Sequence, residues 1–176
     1  MQPEYPVYIK EYFNMLGQWM VYFGMSSLDV EPNWLFDVCY KRDALQASKF
    51  GKVNTYCFVK YANEHFDTAK LQQFSSQSFD YAMKYRQGMP LGFGGSLVVY
   101  PGLITDKIMQ EHTNFLNNYL KKHFSAFEFP CVLDISSGSV YCYPKTPVWG
   151  ALYYNGFRRE VEDMFSPIAW KRIANR

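Results

Sequence analysis

The chain has little charge. Only 19% of its 176 residues are Asp, Glu, Lys or Arg, and 18 basic side chains nearly balance 16 acidic ones. Residues 1–88 hold nine of each sign, and residues 89–176 hold nine basic and seven acidic. No basic stripe of the kind a duplex-DNA binder uses to displace counterions is present. No apolar run approaches the roughly 20 residues that span a bilayer, and the start Met1-Gln2-Pro3-Glu4-Tyr5 lacks the basic and apolar regions of a secretory signal. The expectation is a soluble, cytoplasmic protein without membrane contact.

Metal and phosphate signatures are missing as well. Cys39, Cys57, Cys131 and Cys142 form no CxxC pair, so no zinc site is expected. Each lies among Val, Tyr, Phe or Pro in a strand-like stretch, where a reduced thiol behaves as a small hydrophobe. Cys131 and Cys142 should face each other across a hairpin. Neither GxGxxG nor GxxxxGK[ST] occurs, and no serine sits in GxSxG. Neither cofactor nor metal is implied.

What the chain does have is rings: Trp 4, Tyr 15 and Phe 15, with 48% hydrophobic residues overall. That suffices to build a core without disulfide or metal staples. Ile9, Tyr12, Phe13, Leu16, Trp19, Met20 and Phe23 recur at helical spacing and predict a first helix ended by Gly24. Its wide aromatic face suits docking on a sheet or a dimer interface. Two β-rich runs follow, one from Trp34 to Tyr40, extended through Asp43–Ala47, and one from Val53 to Tyr61. A turn is expected near Ser48-Lys49-Phe50-Gly51.

Asp67 or Thr68 caps a second helix that Gly88 closes. After Leu97–Ile104 a third helix is predicted from Asp106 to His123, with Lys121, Lys122 and His123 complementing its dipole. Phe127–Ile135 and Val140–Tyr143 read as a hairpin around Ser136-Ser137-Gly138-Ser139. A last helix opens with Thr146 as cap and Pro147 at its first position, burying Trp149, Leu152, Tyr153 and Phe157. The expected fold is therefore a single α+β domain over residues 1–176, in the order α-β-β-α-β-α-β-β-α. About four helices pack a mixed five-stranded sheet with one parallel pair.

Catalytic chemistry finds few candidates. Glu128 and Asp134 share a strand face but lie roughly 20 Å apart at about 3.3 Å per residue. Asp134 suits a turn cap for Ser136 and Ser137. Asp37, Lys41 and Lys60 only imitate a nuclease strand pair. His65 precedes a helix cap and His112 reads as packing. A hydrolase or nuclease-like alternative would combine Asp106, Asp134, His123 and Lys145 beneath the glycine-rich segment.

That segment, with Gly92, Gly94 and Gly95, reads as a connection allowing close backbone approach, or as a mobile flap over a partner site. The stretch Tyr143–Arg159 concentrates Trp149, Tyr153, Tyr154, Arg158 and Arg159, the residue types of binding hot spots. The sequence thus favours a non-catalytic protein that acts by protein–protein contact, as an adaptor, inhibitor or immunity-type factor or as a homodimer. A third reading is single-stranded nucleic-acid binding through the same rings and arginines.

Overall fold

The computed structural model describes residues 4–29, 35–46, 51–62 and 66–176. Trp34, His65 and the turn expected at 48–51, apart from Gly51, lie outside the described residues. The elements in chain order are α1 (Val7–Tyr22), β1 (Ser26–Ser27), β2 (Val38–Gln46), β3 (Gly51–Ala62), α2 (Thr68–Tyr85) and β4 (Gly95–Thr105). They continue with α3 (Gln110–Asn118), β5 (Ala126–Glu128), β6 (Cys131–Asp134), β7 (Ser139–Cys142), α4 (Tyr154–Phe165) and α5 (Pro167–Ala174).

The class is α+β, with a mixed sheet in the order β1-β2-β3-β4-β6-β7 and β5 also on β4. Seven strands replace the five expected. Ser26–Ser27 adds a short edge to β2. The strand beside β4 is divided between β5 and β6, on either side of Phe129-Pro130, and Pro130 has no N–H to give the ladder. Parallel pairing is also wider than the single pair predicted: β3 lies parallel to β4, and β4 to both β5 and β6. The cause is that α2 as well as α3 serves as a crossover between parallel strands.

The central strands alternate their side chains between two cores. On one face Val98, Tyr100 and Ile104 of β4 meet α1, α4 and α5 through Leu16, Phe157, Phe165 and Trp170. On the other, Leu97, Val99 and Leu103 meet α2 and α3 through Phe74, Phe79 and Phe115. Gly102 is a close-approach position, because a Cβ there would lie 2.5 Å from the Phe165 ring. Glu160 ties α4 to the sheet by accepting from Tyr100 and Arg42.

Asp67 caps α2 as expected, accepting from Lys70 N–H at 2.8 Å. Two helix predictions are corrected. The third helix spans Gln110–Asn118 only, so Lys121, Lys122 and His123 are not on its last turn. The last helix starts at Tyr154, and a short 3-10 turn at Val148–Gly150 precedes it. Trp149 and Leu152 consequently stand on the surface instead of in a buried stripe. Among the described residues no helix is long and apolar enough to cross a membrane.

Candidate functional site

The parallel register Leu97↔Ala126 sets the starts of β4 and β5 side by side. It thereby joins segments distant in sequence: the glycine-rich loop, residues 122–125, and the turn before α4. Together they enclose an open cleft of about 600 Å³. Its floor includes Gly95, Ser96, Ser125 and Phe127, and its walls include Phe124, Trp149 and Tyr153.

The loop is tightly shaped. Gly92 and Gly94 take φ of +79° and +85°, and a Cβ on Gly95 would lie 2.2 Å from the Met89 carbonyl oxygen. Gly92 abuts Phe124, whose ring would be 2.2 Å from a Cβ on that glycine. Ser125, on the floor, has φ 51° and is the one non-glycine with positive φ among the described residues. Such a conformation is uncommon for serine and recurs at functional sites.

Aromatic packing fixes the second wall. Trp149 meets Tyr154 edge-on at 5.6 Å, and Tyr153 packs on Phe127 at 5.1 Å. Lys122 Nζ stands 5.8 Å from the centre of the Trp149 ring. Of the lining rings, Phe124 is 75% exposed and Trp149 39%, and Phe93, Val148 and Leu152, exposed at 75%, 95% and 81%, are chain neighbours of lining residues.

Beneath residues 119–124 lies Glu128, a buried carboxylate on β5 facing α2 and α3. Ser75 Oγ donates to its Oε1 at 2.6 Å, as does the Tyr119 hydroxyl. His123 Nε2 faces Oε2 at 3.3 Å and Lys121 Nζ lies 3.7 Å from it. The His123 ring also stacks on Phe79 at 4.0 Å. Sequence reading treated Glu128 only as a distant mate of Asp134 and Lys121 as a helix-end cation. The structure makes both part of one buried anchor.

The four residues of the hydrolase alternative are not brought together. His123 stands at the amino ends of the parallel strands, whereas Asp106 follows β4 and Asp134 ends β6 at their carboxyl ends. Asp106 accepts from the Tyr8 and Tyr61 hydroxyls at 2.7 and 3.1 Å, beside a separate depression of about 410 Å³. Lys145 is exposed, and its carbonyl accepts from Arg158 at 2.8 Å.

Asp134 is a turn cap. It accepts from Ser136 Oγ at 2.6 Å and from the N–H groups of Ser136 and Ser137 at 3.0 and 3.2 Å. Burial acts to raise its pKa, but these bonds and one from Ile108 N–H outweigh it and hold the carboxyl below its ordinary value. Its stabilising effect is therefore complete above the unfolded pKa of about 3.9 and is lost as pH falls through the folded value. Asp134→Asn should lower stability at neutral pH by about 1–2 kcal/mol. Its urea midpoint should also fall less steeply than wild type on acidification. A variant keeping the full wild-type acid slope would remove Asp134 as its source.

Other candidates are occupied structurally. Asp37 holds Lys60 at 2.9 Å and Tyr61 N–H at 2.7 Å, while Lys41 turns to Asp43 at 3.1 Å. His112 is fully buried; its Nδ1 accepts from Met109 N–H at 3.3 Å, and Nε2 donates to the Phe66 carbonyl at 2.7 Å. The four cysteines are free. Cys131 and Cys142 are direct ladder partners, and burial pushes Cys142 up to about 12, so little nucleophilic thiolate forms. Among the described residues no three His, Cys, Asp or Glu converge on a metal-sized site.

Of the predicted hot-spot residues, Trp149 and Tyr153 line the cleft. Tyr154 is core, packed between Tyr143, Phe129 and Phe157. Arg158 reaches back to Lys145, Thr146 and Asn155 and holds the connection before α4. Glu162 and Asp163 pair with Arg172. Arg159 is exposed. Sequence reading missed Phe93, Ser96, Lys122 and Phe124; a phenylalanine set among glycines was the one local sign. No family model, curated protein or solved structure matches the chain.

Proposed function

We propose that the protein works as a binding protein, engaging a protein partner in the cytoplasm through the cleft at the amino ends of β4 and β5. The observation that carries this reading is a concave aromatic cleft lined by the exposed Phe124 and Trp149, with exposed Phe93, Val148 and Leu152 next to lining residues in the chain. Large apolar side chains clustered at one mouth mark an interaction surface, whereas scattered ones do not. Trp and Phe placed beside a pocket are the anchors that dominate such interfaces. The cytoplasmic placement rests on the sequence features given above.

No single location favours the hydrolase alternative, since its acids and bases sit at opposite ends of the sheet. The nucleic-acid alternative loses Arg158 to an internal role.

The test is a paired capture from the native host. The double variant Phe93→Asp, Phe124→Asp changes two exposed rings and should leave the fold intact. It should lose partners that wild type retains, by about 30-fold or more in affinity, corresponding to about 2 kcal/mol for a hot-spot loss. Light scattering on both proteins separates a heterologous partner from self-association. Equal partner recovery and equal oligomeric state in the two proteins would dismiss the cleft as the interface.

A further inference from the structure

On the protein-binding reading above, we propose that the partner's bound segment is acidic: a side-chain carboxylate seated at Lys122, next to an apolar residue lodged against Trp149 and Phe124. The cleft's charge is one-sided. Lys122 and His123 line it and no carboxylate does. Its two neighbouring lysines have different fates. Lys121 is engaged by Glu128 and by Ser76 Oγ at 2.7 Å. Lys122 is exposed, lies over Trp149, and has no carboxylate partner among the described residues.

Ser96 belongs to the cleft floor at only 8% exposure, with its Oγ enclosed, so the polar group the cleft offers a ligand is the Lys122 ammonium. Further cations stand at this end of the sheet: Lys52 at the start of β3, and Lys84 and Arg86 around the end of α2. Folding thus gathers at one end of the sheet cations that lie scattered along the chain.

A carboxylate answers Lys122, as an ammonium binds an ionised acceptor strongly. Phosphate along a nucleic-acid strand would also answer Lys122. However, strand binding uses cations in rows with bases on rings, and here the exposed aliphatic Val148 and Leu152 adjoin the lining residues Trp149 and Tyr153 in the chain. Those surfaces are covered by apolar side chains, which favours a polypeptide.

The experiment selects random heptapeptides displayed on phage against immobilised full-length protein and its Lys122→Glu variant. Wild type should enrich Asp or Glu adjacent to an aromatic or aliphatic residue, and Lys122→Glu should replace that preference with Lys or Arg. A selected peptide made synthetically should bind about tenfold more tightly than its Asp→Asn or Glu→Gln twin, by calorimetry. That ratio should shrink to about twofold in Lys122→Gln. Apolar peptides recovered without acidic bias, with both twins bound equally, would overturn the acidic assignment and leave protein binding standing. Recovery of no peptide would count against both. So would tighter, steeply salt-dependent binding of a labelled oligothymidylate, which would assign the cleft to single-stranded nucleic acid.

Discussion

Alanine at Phe157 is expected to lower the free energy of unfolding by about 3–5 kcal/mol. The same change at Trp149 should cost about 1–2 kcal/mol, because much of that ring stays in water. Phe157 is buried on α4 and sits at the centre of an aromatic group, within 5.0 Å of Phe127, 5.6 Å of Phe129 and 5.5 Å of Tyr154 by ring centres. It also meets Tyr100 on the central strand at 6.1 Å. Removing it opens a cavity where α4 joins the sheet, and rigid neighbours on two strands cannot collapse to fill it.

Trp149 stands on the 3-10 turn and packs edge-on to Tyr154, under Lys122. The two variants should therefore separate stability from recognition. Urea midpoints should fall steeply for Phe157→Ala and slightly for Trp149→Ala, while partner affinity is lost chiefly in the latter. A large midpoint loss at Trp149 would show that the ring supports the fold and is not free to bind.

The parts of the fold that were legible in sequence are those governed by short-range chemistry. The β-rich runs Val53–Tyr61 and Leu97–Ile104, the Asp67 cap, and the Asp134–Ser139 turn each depend on a few adjacent residues, and each is found in place. The errors arise where a distant group outbids local preference. Helical spacing carries on past Asn118, but Tyr119, Lys121 and His123 turn to Glu128 on β5 and the helix stops short. Spacing also places Trp149 in line with Phe157. Gly150 lies under the Tyr154 ring, 2.4 Å from where a Cβ would be, and the backbone there makes a tighter turn instead.

The site was legible only in pieces. Gly92, Gly94 and Gly95 stood out by composition, and Trp149 and Tyr153 by residue type. Nothing local says that they share a cleft, for their meeting depends on the pairing of β4 with β5 and on α4 crossing the same face. Phe124 and Lys122 were hidden for the same reason. A basic run after a helical pattern is consistent with a dipole cap, and only the buried acid beneath it reveals that Lys121 and His123 face inward and Lys122 outward.

Glu128 is accordingly where stability and recognition meet, and Glu128→Ala should cost about 3–5 kcal/mol. Lys121 and His123 retain access to water, with side chains 35% and 28% exposed, so both can resolvate once the acid is gone. Ser75 cannot, being fully buried, and the Tyr119 hydroxyl loses its acceptor along with it. Glu128→Gln keeps the volume and an acceptor oxygen for Ser75 or Tyr119, and should cost only about 1–2 kcal/mol. Both changes should loosen residues 119–124 and weaken partner binding by more than the loss of folded protein explains, because Phe124 and Lys122 ride on that segment. Amide hydrogen exchange at 119–125 in the stable Glu128→Gln variant provides the check. Faster exchange there, with unchanged protection in β3, would identify the buried carboxylate as the clamp on the cleft wall, and wild-type protection throughout would show that the wall holds without it.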